Sequence, residues 1–251
     1  MTLLAMLLSL APDAFSRNTL AELRQRLWAG LRLRAGRHLP SPTLWLTLCA
    51  LLPALAVALI AALLPPLPRL LFAVAALYLC LGQPRGGAAP GEDALPQAEL
   101  GALGRLFIAE HERSFSLLIW FAAAGPGGAL FYRLCTEFAR RTGAPAGAAD
   151  LHAAAAWVPL RLTALLCALA GSSDDAFAAW RRLPADLPWP RRGWMLLAAV
   201  GAGAVVAEDH GAAVLPPNWA ATEAEAQRLL QRALLLLLAL CALLQAGYWL
   251  S

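Results

Sequence analysis

The chain has 251 residues, of which 60% are hydrophobic and 14% are charged, and its mean hydropathy is +0.60. Soluble domains carry about 25% charged residues, so this composition excludes an ordinary soluble protein. All 20 residues in the Lys and Arg total are arginines, and the net charge is +4. In a membrane protein such charge sets topology and contacts anionic lipid. The sequence contains no basic run interleaved with aromatic residues, so we do not predict nucleic-acid binding.

The apolar residues lie in long runs, which predicts an all-α, polytopic helical membrane protein in one domain, 1–251. We expect about four to six membrane helices, together with amphipathic helices at the interface. The amino-terminal arm, 1–40, places arginines among leucines at helical spacing over 20–38. That pattern is typical of a helix on an anionic leaflet, and it also fits a topology anchor that binds no ligand.

A helical hairpin is predicted over 44–82, with a first arm at 44–64 and a shorter second arm at 70–81. Three closely spaced prolines predict a tight turn between the arms, because proline cannot extend a helix interior. A loop rich in Gly and Pro is expected to follow at 83–101.

The apolar run 115–134 is predicted to be the central membrane helix, since a helix of that length covers about 30 Å, the thickness of a bilayer's hydrocarbon core. Gly125 and Pro126 interrupt it. Pro126 cannot donate to the carbonyl of Ala122, so we expect a kink there. The small residues up to Gly128 should leave a smooth face for close packing of another helix.

Three further apolar segments follow. Segment 153–171 is short for a span, which leaves a tilted, re-entrant or protein-buried helix open, and Pro159 is expected in its first turn. Segment 195–206 is too short to cross comfortably. An amphipathic lead at 223–232 is predicted to enter a last span at 233–250.

The five cysteines are widely separated and form no CxxC pair or Cys/His cluster, so we predict no disulfide framework and no metal site. The segment around His111 lacks the second histidine of a zinc-protease motif. A nucleophile elbow, a P-loop and a dinucleotide fingerprint are also missing from the sequence. We therefore predict no catalytic residue and no cofactor.

Two arginines are the main candidates for ligand binding. Arg133 is expected to end the central helix and Arg161 to begin the next one, so antiparallel packing would place both guanidiniums at one membrane level. Arginine near the hydrocarbon region is costly, and two forked donors suit a phosphate, a carboxylate or a lipid head group. The alternative is local: Glu137 pairs with Arg133 on the helix face, and Arg161 snorkels or binds carbonyls.

A second charged group precedes the central helix. Glu110 and Arg113 are three residues apart, which favours a local ion pair. Together with His111 and Glu112 they could instead supply carboxylates and an imidazole to a ligand.

Two sequence blocks carry a resemblance to a known family. They are ERSFSLLIWFAAAGPGGALFYRLCTEFARR at 112–141 and AAAAWVPLRLTALLCALAG at 153–171, followed by DDAFAAWRR at 174–182. In this order the blocks resemble the AmpE family. The G-xx-GAxxYR and P-xRLxA elements are in turn similar to the CobD/CbiB membrane synthases of cobalamin biosynthesis. The resemblance defines a motif-bearing core at 110–182.

The resemblance to AmpE implies a multi-pass protein of the bacterial inner membrane that senses or signals, linking muropeptide recycling to β-lactamase induction. Its implied pathway partner, besides the lipid bilayer, is an anhydromuramyl-peptide amidase. The similarity to the synthases implies an alternative, an adenosylcobinamide-phosphate type of synthase, whose shared motif matches Tyr132, Arg133, Pro159 and Arg161. A small transporter is a third interpretation, which the scarcity of charge within the spans disfavours.

Overall fold

The computed structural model describes residues 42–81, 101–140, 147–184, 186–187, 191–206 and 219–250. Every regular element in these ranges is helical, and four helices are long and apolar enough to cross a membrane. The prediction of an all-α polytopic membrane protein is confirmed. The arm 1–40 and nearly all of the predicted loop 83–101 lie outside the described residues.

The helices are numbered in chain order within the described ranges. They are α1 (Pro42–Leu63), α2 (Pro66–Cys80), α3 (Ala102–Glu110), a π-helical segment (His111–Phe115), α4 (Ser116–Ala139), α5 (Ala148–Ala170), α6 (Ser173–Arg181), α7 (Arg191–Val206) and α8 (Trp219–Leu250). The candidate spans are Leu46–Leu63, Ala102–Ala139, Ala148–Ala170 and Glu223–Ala246.

The chain divides into two compact units. The described part of the first unit contains α1, α2, α4 and the beginning of α5, up to Ala155. The second contains α3, the π-helical segment, the remainder of α5 from Ala156, and α6 to α8.

In the first unit, α1 turns its small residues inward and its leucines outward. Ala50, Ala54 and Ala61 are buried at helical spacing. The exposed large residues of the same helix are Leu48, Leu51, Leu52, Leu55, Leu59, Ile60 and Leu63. A soluble core has the opposite distribution, whereas small residues let membrane helices approach closely and leucine is as apolar as lipid. The pattern is that of a helix whose outer face meets the bilayer.

Helices α1 and α2 occupy the predicted hairpin, but α2 begins earlier than the sequence suggested. Its first residue is Pro66, not Leu70. Proline is well suited to the first helical position, where its missing N–H has no intrahelical partner and its fixed φ is already helical. The backbone N–H of Arg69 donates to the carbonyl of Pro65 at 2.9 Å and closes the first turn.

In the second unit, α7 is a short helix enclosed by its neighbours. Its 16 residues extend over about 24 Å, less than the thickness of the hydrocarbon core. Trp194, Leu197 and Val200 are fully buried. A Cβ placed on Gly201 would come within 2.5 Å of the Phe107 ring, so only glycine allows α3 to pack so closely on α7.

The later helices differ from their expected boundaries in two places. Helix α5 begins at Ala148, so Pro159 lies in its interior and the prediction of a first-turn proline was wrong. Helix α8 is continuous over 32 residues and joins the amphipathic lead to the last apolar segment.

Candidate functional site

The first unit contains a break in the middle of α4. Ala124 (φ −133°, ψ 18°) and Gly125 (φ 63°, ψ −154°) leave the helical conformation, so α4 consists of two helical segments, 116–123 and 126–139. The positive φ of Gly125 strains any residue that carries a Cβ. Pro126, which cannot donate to a preceding carbonyl, opens the second segment.

The two segments of α4 fold back toward each other. The rings of Trp120 and Phe131 meet edge to face with centroids 5.3 Å apart, whereas residues 120 and 131 of a continuous helix would lie about 16 Å apart along the axis. A Cβ on Gly128 would come within 2.3 Å of the carbonyl oxygen of Trp120. The bend is therefore much sharper than the predicted proline kink, and the estimate of one helix covering about 30 Å over 115–134 was wrong.

The second segment of α4 lies directly against α1. A Cβ placed on Gly127 would be 2.5 Å from the carbonyl oxygen of Ala54 and 2.9 Å from the Cβ of Ala58. Small residues on both helices thus bring the two backbones into contact, as is common in membrane helix pairs. This contact fixes the beginning of the segment that carries Tyr132, Arg133 and Glu137.

Arg133 and Glu137 form a buried ion pair. Nη2 of Arg133 lies 2.8 Å from Oε1 of Glu137 one helical turn later, and the two residues are 4% and 3% exposed. An opposite charge at this distance offsets the high cost of holding a guanidinium away from water. The local pair considered from the sequence is thus present.

Further buried polar side chains lie on the same segment of α4 and on the beginning of α5. The Tyr132 hydroxyl lies 3.4 Å from Nε2 of His152, and both residues are buried. Thr136 donates its hydroxyl hydrogen to the carbonyl of Tyr132 at 3.0 Å. We refer to Tyr132, Arg133, Thr136, Glu137 and His152 as the buried polar group.

A hydrogen bond between helices supports the beginning of α5. Pro159 has no N–H, so the carbonyl of Ala155 loses its intrahelical donor. The indole Nε1–H of Trp120 donates to this carbonyl at 2.9 Å. Neighbouring side chains commonly satisfy freed carbonyls in this way where membrane helices contain proline.

The second unit has its own buried polar contact, between His111 and Thr163. Their Nδ1 and Oγ1 atoms are 2.9 Å apart, and Oγ1 also donates to the carbonyl of Pro159 at 2.9 Å. Because the hydroxyl has one hydrogen, Thr163 accepts from Nδ1–H of His111. The imidazole ring and the indole ring of Trp194 also meet edge to face, with their centroids 5.9 Å apart.

The four charged or polar residues at 110–113, at the start of the π-helical segment, differ in burial. His111 and Glu112 are buried, whereas Glu110 and Arg113 are about one-third exposed and lie 3.5 Å apart as an ion pair. Single π-helical turns often occur at functional sites. Here, the residues singled out from the sequence, Glu110 and Arg113, are the outer pair.

The Arg161 guanidinium contacts Trp157, one turn earlier in the same helix. Its Nη1 donates to the carbonyl of Trp157 at 3.0 Å, and its Cζ lies 4.1 Å above the Trp157 ring. This geometry combines a hydrogen bond with a cation–π contact. An anion site shared by Arg133 and Arg161 stays a prediction.

Sequence reasoning missed the contributions of His152, Thr136 and Thr163. The predicted apolar segment began at 153 and left His152 outside it, but His152 belongs to α5, which begins at Ala148. The residues at 148, 152, 156, 160 and 164 are all buried, and their spacing of four was the available signal. Extending the helical pattern back to 148 would have placed the imidazole on the buried face.

In the part of the chain that the structure describes, no three His, Cys, Asp or Glu side chains come together as metal ligands. All five cysteines are free thiols, and Cys80, Cys135, Cys167 and Cys241 are buried. No protein-family model, curated protein or solved structure matches this chain. The resemblance to AmpE and to the CobD/CbiB synthases stays a prediction based on the motif blocks.

Proposed function

We propose that this chain is an inner-membrane signalling protein of the AmpE type, which links muropeptide recycling to β-lactamase induction. The motif blocks support this assignment, and the apolar helices support a bilayer environment. The observation that carries the proposal is the burial of the motif residues Tyr132 and Arg133 within the buried polar group.

Burial favours signalling over the synthase alternative for a chemical reason. A synthase that used Arg133 to hold a phosphorylated substrate would need its guanidinium within reach of that substrate. Arg133 is only 4% exposed, and the Glu137 carboxylate lies 2.8 Å away. A neutralised, enclosed arginine is better suited to hold one conformation than to bind a substrate phosphate.

The position of the ion pair suggests how a signal would be transmitted. Arg133 and Glu137 lie on the helical segment that follows the break at Gly125 and packs through Gly127 on Ala54. Glycine at such a break can absorb a large change in backbone angles. In the proposed mechanism, a partner or ligand that separates Arg133 from Glu137 reorients this segment. The implied partner belongs to the anhydromuramyl-peptide amidase pathway.

The proposal is tested by measuring β-lactamase induction and cobinamide-phosphate synthesis in cells that carry Arg133→Ala, Arg161→Ala or Arg69→Ala. Arg69 is an exposed arginine of α2 in the first unit, so its substitution controls for loss of charge. We expect Arg133→Ala to abolish induction and to leave corrinoid synthesis unchanged. Because the substitution leaves the Glu137 carboxylate buried without its partner, induction is compared at equal amounts of membrane-inserted protein. Loss of corrinoid synthesis with normal induction would reject signalling and favour the synthase.

A further inference from the structure

Three arginines gather on two neighbouring helices of the second unit. Arg161 belongs to α5, and Arg191 and Arg192 are the first two residues of α7. A Cβ placed on Gly193 would lie 3.0 Å from Cδ1 of Leu160. The first turn of α7 therefore packs against α5 immediately beside Arg161.

Arg161 and Arg192 lie close enough for their positive charges to act on each other. Basic residues in the first turn of α7 also lie at the positive end of the helix dipole. An anion bound beside both guanidiniums would interact favourably with the two charges and with the dipole.

The exposed face of α5 indicates where such an anion would come from. Trp157, Val158, Leu165 and Leu169 form an exposed stripe on the second half of α5, and Arg161 lies on the same stripe. The helix extends over about 20 Å from Trp157 to Ala170, so Leu165 and Leu169 lie among lipid tails when Trp157 lies near the head groups. Tryptophan favours the level of the lipid head groups.

Arg161 is also held in a fixed orientation at this level. Its hydrogen bond to the carbonyl of Trp157 and its position above the indole ring fix one side of the guanidinium. The other N–H donors of the planar fork suit the oxygens of a phosphate. An ordered guanidinium loses less conformational entropy when it binds.

We infer that Arg161 and Arg192 bind the phosphate of an anionic phospholipid, with Trp157 at the head-group level and the acyl chains along Leu165 and Leu169. Basic pockets between membrane helices recognise lipid phosphates through this chemistry. A free phosphate shares the same anionic oxygens but gains nothing from the apolar stripe. The site belongs to the second unit, and it does not depend on the proposed signalling role.

The test uses the full chain, purified in a non-ionic detergent and titrated with dioleoylphosphatidylglycerol, dioleoylphosphatidylcholine or inorganic phosphate. Native mass spectrometry measures the bound fraction for the unmodified protein and for Arg192→Gln, the Arg161→Gln/Arg192→Gln double variant and Arg69→Gln. Arg192 is exposed, so its single substitution should leave folding intact. Arg69→Gln removes one charge from α2 and controls for net charge.

We expect phosphatidylglycerol to bind more tightly than either other probe. Each removed arginine should weaken this binding about fivefold, as expected for one basic side chain at an anionic surface. Arg69→Gln should bind as the unmodified protein does. Three results would each overturn the inference. The two lipids bind equally well, Arg69→Gln weakens phosphatidylglycerol binding as much as Arg192→Gln does, or inorganic phosphate binds as tightly as phosphatidylglycerol.

Discussion

Trp120 donates its indole N–H to the carbonyl oxygen of Ala155 at 2.9 Å, and this is the carbonyl that Pro159 leaves without an intrahelical donor. The same indole ring contacts Phe131 across the break in α4. One side chain thus joins the two segments of α4 and connects them to the beginning of α5. Its hydrogen bond is worth more than an ordinary exposed one, because water does not replace it inside a bilayer.

Trp120→Phe should destabilise the protein by about 1–3 kcal/mol, the cost of leaving one buried carbonyl without a donor. The phenylalanine ring retains an aromatic contact with Phe131, so most of the loss reports the hydrogen bond. The free energy of unfolding in mixed detergent micelles measures it. Trp180→Phe, at a half-exposed position of α6, serves as the matched control and should be nearly neutral.

A double-mutant cycle isolates this bond from the packing of the indole. Pro159→Ala supplies an N–H that can reach the carbonyl of Ala155 within the helix. Trp120→Phe should therefore cost less in the Pro159→Ala background than in the unmodified chain. Equal costs in the two backgrounds would mean that the indole contributes through packing alone.

The break in α4 gives a second prediction. Gly125→Ala should destabilise the protein by about 1–2 kcal/mol, because its φ of 63° places a Cβ in a strained conformation although open space surrounds it. Gly101→Ala is the matched control, since Gly101 also has open space around it and its φ is −55°. Thermal unfolding of both variants measures the difference. Similar shifts for the two would show that backbone strain at Gly125 is unimportant.

The sequence predicted the features of this molecule that are local. The break at Gly125 and Pro126 and the spacing of Arg133 and Glu137 follow from chemistry within a few residues. Helix α1 was recognisable because apolar residues fill all its faces. Its inward alanines and outward leucines are the features of a membrane helix.

The remaining features depend on contacts between distant residues. The bend in α4 is sharper than proline alone requires, because Gly128 lets the second segment approach the carbonyl of Trp120. The small residues predicted close packing, but they did not identify the backbone that packs there. The first turns of α5 are rich in alanine, as is the sequence just before them, so the helix was predicted to begin too late, at 153. That boundary error moved Pro159 to a first turn and removed His152 from the predicted site.

The last prediction concerns the buried ion pair. Glu137→Gln should destabilise the protein by about 3–5 kcal/mol, because the Arg133 guanidinium would stay buried with its compensating charge removed. Glu225→Gln is the matched control: Glu225 pairs with Arg228 at the exposed surface of α8, where such pairs contribute about 0–1 kcal/mol. Denaturant unfolding of the purified variants gives both values.

Replacing both partners separates stability from function at this position. Arg133→Met with Glu137→Leu removes both charges and keeps similar volumes, so stability should return to near that of the unmodified chain. If the buried polar group transmits the signal, this stable double variant should still fail to support β-lactamase induction. Normal induction by the double variant would leave the ion pair a purely structural role. If the double variant stays unstable, Arg133 and Glu137 contribute to stability through more than charge compensation, and their other contacts in the buried polar group matter as well.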